Sequence, residues 1–161
     1  MKKMKNDNKG FTLVELIVVL VILAILAAIL VPALLGYIDE ARNKQLQLHG
    51  KSVYTAGQAV ASQMYGTSTD PQKDNTNKKK FADKVWALSE MADYTSDSSK
   101  VLARIQFSKA TGNGKDSYKI IAVEYTEDST NWIYYSTTTN EWSDLYTTNK
   151  VTSNYIEIKK P

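Results

Sequence analysis

From Leu16 to Leu35 the chain runs for 20 residues without a charged side chain. As a helix rising about 1.5 Å per residue, that run reaches about 30 Å, the hydrocarbon thickness of a bilayer. A stretch so apolar has two stable surroundings, lipid or other apolar helices. Lys2, Lys3, Lys5 and Lys9 lie just before it, which predicts a cytoplasmic N-terminus and a body on the far side of the membrane. A secretory signal peptide would have a shorter apolar core and would place the mature N-terminus at about residues 28–34. Neither that reading nor a plain signal anchor accounts for Glu15 at the start of the run, because an acid in a membrane segment is costly and marks a function with a partner nearby.

Charge is distributed unevenly. The first ten residues hold four lysines against Asp7, and the remaining chain balances 16 basic against 16 acidic residues. A global phosphate-binding surface is therefore not indicated for the body. The sequence has no cysteine, which excludes a disulfide framework, a thiolate metal site and a cysteine nucleophile.

The stretch "KGFTLVELIVVLVILAILAAILVPAL" resembles the N-terminus of type IV pilins and their pseudopilin relatives. The resemblance covers about 30 residues. It implies a leader of residues 1–10, cut between Gly10 and Phe11 by a prepilin peptidase that then methylates the Phe11 amine. It also matches Glu15 to the acid at the fifth mature position and Pro32 to the mid-helix proline. After cleavage, the Phe11 amine and the Glu15 carboxylate are opposite charges in a low-dielectric setting, where each is costly alone and their attraction is strong. Pairing of Glu15 with the Phe11 amine of a neighbouring subunit would set the axial register of a polymer. Pro32 lacks an N–H and crowds the Ala28 carbonyl, and Gly36 is a weak helix former, so this region is the expected helix break.

Beyond the apolar run, Val53, Ala56, Val60 and Met64 recur at helical spacing, with Lys51, Gln58 and Gln63 on the polar side. The helix is expected from Phe11 to Tyr65. Residues 66–80 read as a polar loop, and "FADKVWALSEMAD" as a short helix with Phe81, Val85, Leu88 and Ala92 on one face. Alternation in "VLARIQFS" places Val101, Ala103, Ile105 and Phe107 together. A turn at residues 112–115, then "SYKIIAVEYT", "NWIYYSTT", "EWSDLY" and "NYIEIKK", complete an antiparallel meander with Ile156 and Ile158 facing inward. The expectation is an α+β fold. A long N-terminal helix, transmembrane and then amphipathic, packs on an antiparallel sheet, with a short helix in the connection between them. The expected segments are a cleaved leader (1–10), a membrane or filament-core helix (11–37) and a soluble head (38–161).

No stretch carries a nucleophile with its base, a phosphate loop or a paired-acid site, so an enzyme is not expected, nor any cofactor or metal. His49 stands without cysteine or clustered acids and reads as a solvated or inter-subunit residue. Asp70, Asp74, Asn75 and Asn77 offer oxygens for calcium but lack the loop spacing, and a plain turn is the better reading. Lys78, Lys79 and Lys80 read as solvated. Trp132, Tyr134, Tyr135 and Trp142 read as cross-strand packing before a stacking platform.

The resemblance implies the major subunit of a type IVa-like pilus: inserted in the cytoplasmic membrane as precursor, then assembled into a surface filament for adhesion, twitching motility or biofilm. The implied partners are further copies of the chain, the prepilin peptidase, the assembly platform with its ATPases, and a surface receptor or DNA. The alternative is a major pseudopilin of a type II secretion or competence system. The lack of cysteines leans toward a Gram-positive source.

Overall fold

The computed structural model describes residues 10–109, 115–148 and 150–161. Helix α1 (Leu13–Gly66) comes first, followed by α2 (Asn75–Ser89), and the strands are β1 (Leu102–Phe107), β2 (Ile120–Thr126), β3 (Ile133–Ser136), β4 (Glu141–Trp142) and β5 (Tyr155–Ile158). Short 3-10 turns occupy Met91–Asp93 and Lys115–Tyr118. The fold is α+β, with one antiparallel five-stranded sheet in the order β4-β3-β2-β1-β5. The chain separates into two units, one ending at Ala41 and one over Arg42–Pro161.

In the first unit α1 is helical throughout, with Pro32 inside it. The helix is not unwound at Pro32 or Gly36, the place expected for a break. Pro32 can give no hydrogen bond to the Ala28 carbonyl, and the turns on either side keep the segment helical.

In the second unit the predicted stripe of α1 is the buried one: Val53, Ala56, Val60 and Met64 are at most 6 % exposed. The stripe packs with Phe81 and Val85 of α2 and with the core face of the sheet, Ala103, Ile105, Phe107, Val123, Tyr125, Ile133, Ile156 and Ile158. Helix and sheet approach closely where α1 has no side chain. A Cβ at Gly57 would sit 2.8 Å from Ile105 Cδ1, and one at Gly50 would sit 2.6 Å from the Trp142 ring.

Three local expectations are corrected. Helix α2 begins at Asn75, inside the segment read as loop, because Asp74 caps it by accepting the Asn77 N–H at 2.8 Å. Its buried face is Phe81, Val85, Trp86 and Ser89, while Leu88 and Ala92 are exposed. The helix ends at Ser89, where Glu90 turns left-handed at φ 57°, so Ala92 falls beyond the helical register. Ser117 and Tyr118, read as the start of a strand, lie in a 3-10 turn. Of the turn expected at 112–115, residues 112–114 lie outside the described residues.

The meander also holds only for β1 to β4. The last strand does not extend it but pairs with the free edge of β1, Ile105 opposite Ile156. To get there the chain crosses the sheet face opposite α1, and a buried acid fastens the crossing. Glu124 is fully buried, and its Oε1 accepts the Tyr146 hydroxyl (2.8 Å), the Val151 N–H (2.8 Å) and the Lys150 N–H. Arg104, opposite Glu124 in the β1–β2 register, brings Nη1 to 3.6 Å from Glu124 Oε2. The Arg104 guanidinium also lies over the rings of Trp132 (4.8 Å) and Tyr155 (5.4 Å). Burial, and then the Glu124 carboxylate it donates to, push the Tyr146 hydroxyl pKa up.

Candidate processing and assembly site

The residues singled out at the N-terminus meet at the first turn of α1. Thr12 precedes the helix and Glu15 is its third residue, the arrangement of a capping box. The Glu15 N–H donates to Thr12 Oγ1 at 3.3 Å, and Glu15 Oε2 accepts both the Thr12 N–H (2.8 Å) and the Thr12 hydroxyl (2.7 Å). A carboxylate at this end also complements the helix dipole. Both Thr12 bonds fall on Oε2, which leaves the second oxygen, Oε1, outside the capping box.

Phe11 is 86 % exposed, and a Cβ at Gly10 would meet nothing within 4 Å. The space around Gly10 does not demand glycine. If glycine is needed there, the demand comes from something that binds the segment. Gly36 is equally unobstructed.

Every large apolar side chain from Leu13 to Leu35 is more than half exposed. At about 1.5–3 kcal/mol for each one removed from water, this surface holds a few tens of kcal/mol of association free energy. It far exceeds the apolar patches that soluble monomers expose. By length and composition the helix can cross a membrane.

The remaining candidates resolve into structural roles. His49, read as solvated or inter-subunit, instead has Nδ1 2.5 Å from Glu127 Oε1 and stacks on Tyr94 at 3.9 Å. Glu127 also accepts the Tyr125 hydroxyl at 2.9 Å. The acid lies 78 residues away in sequence, so no local pattern announces it. Asp70 accepts the Gln72 N–H at 2.7 Å, and its carbonyl accepts the Asn77 side-chain amide at 3.0 Å. The segment is thus a turn leading into a helix cap. Among the described residues no group of three or more metal-ligating side chains converges. Tyr135 packs against Trp142 at 5.1 Å and against Tyr54 at 4.8 Å, as cross-strand and helix–sheet contacts.

Sequence reasoning missed the capping box, although "TLVE" at residues 12–15 is its signature. It also missed the Glu124 fastening, for which no local signal exists.

A family model described as the prokaryotic N-terminal methylation motif matches residues 5–31. The chain therefore carries a type IV pilin-like N-terminal signal, of the kind found on pilins and pseudopilins. Such a signal implies processing by a prepilin peptidase and handling by pilus-assembly machinery, points to a structural protein, and fits membrane insertion of the precursor. No curated protein and no solved structure matches the chain.

Proposed function

We propose that the protein is the major structural subunit of a type IV pilus, polymerising through the N-terminal part of α1. The carrying observation is the pairing of a methylation motif over residues 5–31 with an apolar helix surface that finds no cover within its own unit. In this reading residues 1–10 are removed and Phe11 becomes a methylated N-terminus. The precursor waits in the membrane until assembly replaces lipid with neighbouring helices, and the Arg42–Pro161 body is displayed outside.

The capping box gives Glu15 a role at both stages. In lipid the two Thr12 bonds partly satisfy its carboxylate, which lowers the cost of burying it. In the filament Oε1, held at the tip of the helix by those same bonds, receives the Phe11 amine of an adjacent subunit. Pro32 and Gly36 mark where the helix would yield if packing in the filament required it.

Intact-mass spectrometry of the purified protein tests the reading. The expected mass corresponds to Phe11–Pro161 plus one methyl group, and Gly10→Val leaves the precursor uncut. A mature chain that retains residues 1–10, or begins near residues 28–34, overturns it.

A further inference from the structure

Two lysine runs far apart in sequence converge on one groove. Lys78 and Lys79 from the first turns of α2, and Lys159 and Lys160 just past β5, line an open groove together with Asp83, Tyr155 and Glu157. Lys79 pairs with Asp83 at 3.0 Å and Lys159 with Glu157 at 3.1 Å. Lys78 and Lys160 have no ion-pair partner among the described residues. The chain beyond residue 10 is neutral overall, so this local excess of positive charge comes from the fold and not from composition.

The lining also indicates what kind of anion fits. All four cations are lysines, compact point charges suited to phosphates and without the planar fork that reads base edges or grips carboxylates in pairs. Tyr155 is the only ring in the lining; it is half-buried, and the Arg104 guanidinium lies 5.4 Å from its centroid. One partly covered ring offers little for base stacking, whereas sites for single-stranded nucleic acid rely on several aromatic faces. We propose that the groove binds a linear polyol-phosphate chain, a phosphodiester polymer without bases, through Lys78, Lys79, Lys159 and Lys160.

A competing role for Lys159 and Lys160 is to guard β5, an edge strand, against pairing with other sheets. The test separates the two. The full chain in non-ionic detergent is titrated with fluorescent poly(glycerol phosphate), and with single-stranded DNA of equal phosphate number, across a range of salt. The variants are Lys78→Gln/Lys79→Gln/Lys159→Gln/Lys160→Gln and a control with the same charge loss outside the groove, Lys51→Gln/Lys100→Gln/Lys109→Gln/Lys119→Gln. The expected log–log salt slope is about −2 to −3 for up to four phosphate contacts. The groove variant should weaken polyol-phosphate binding by at least about tenfold and flatten that slope, and the control should shift it by less than about twofold. Four results each overturn the proposal: no binding at low salt, equal weakening by both variants, tighter binding of the DNA than of the polyol phosphate, or a groove variant that self-associates while binding as before.

Discussion

The two ends of α1 obey different rules. From Leu16 to Leu35 the helix is apolar around its whole circumference and its large side chains are exposed, whereas from Arg42 onward one stripe is buried and the rest is mostly polar. Glycines show the difference most directly. A Cβ added at Gly36 meets nothing within 4 Å, while one at Gly57 sits 2.8 Å from Ile105 and one at Gly50 sits 2.6 Å from Trp142. The second half of the helix is shaped by its own domain. The first half finds no shape to match among the described residues, and in the proposed function its sequence answers to lipid, to a processing enzyme and to other copies. A helix that is hydrophobic all round must be buried by something.

The largest expected effect separates the two halves by function. Glu15→Leu should insert and be processed like the wild type, since leucine is cheaper than a carboxylate in lipid. It should polymerise poorly, because an uncompensated Phe11 amine at each interface costs about 3–5 kcal/mol, a factor of several hundred or more. Sheared surface filament is compared with membrane-bound subunit. Wild-type amounts of filament from the leucine variant would mean that charge pairing does not drive docking.

Next in size is the acid of the other unit. Glu124→Ala removes the acceptor of three hydrogen bonds and leaves Arg104, 14 % exposed, without its facing charge. The body should lose about 3–5 kcal/mol, read as a lowered Tm, with faster amide exchange across residues 143–151. Glu15→Leu should leave that Tm unchanged. If the two acids destabilise the body alike, the contrast between the halves of α1 fails.

Matched glycine substitutions sharpen the same contrast at lower amplitude. Gly57→Leu overpacks the α1–sheet contact and should cost about 1–3 kcal/mol. Gly36→Leu should stay within about 0.5 kcal/mol of wild type in thermal stability. Filament yield is the second readout for Gly36→Leu, since a fall there with unchanged Tm would show that a neighbour comes close at Gly36.

The smallest effect is a pH dependence confined to the body. Burial raises the Asp128 pKa, but the Asn131 and Thr130 N–H groups, the Asn131 side-chain amide and the Thr126 hydroxyl together outweigh it and hold the carboxyl at about 2. A depressed carboxylate contributes stability above its unfolded pKa of about 3.9, which is lost as pH falls toward 2. Discounted for solvent exposure, this amounts to roughly 1 kcal/mol. Asp128→Asn should flatten the Tm profile between about pH 4 and 2, and an unchanged profile would assign the acid sensitivity to other groups.

Local periodicity made much of this legible in advance. Leu16–Leu35 announces its length and its need for cover, Val53, Ala56, Val60 and Met64 announce a buried stripe, and the alternation in β1 announces which side chains enter the core. These are properties of a short window read at a period of 3.6 or 2, so sequence alone determines them. The Thr12–Glu15 capping box is equally local and could have been read. What only the tertiary structure decided are the meetings between distant residues. His49 finds Glu127, and Glu124 fastens the crossing that sends β5 to the edge of β1 instead of β4. The lysines at 78–79 and 159–160 share a groove. The physical reason is that a charged or polar side chain carries no record of its partner in its own neighbourhood. Only once the apolar faces have packed and fixed the strand order are such groups brought close enough for their hydrogen bonds and charges to count.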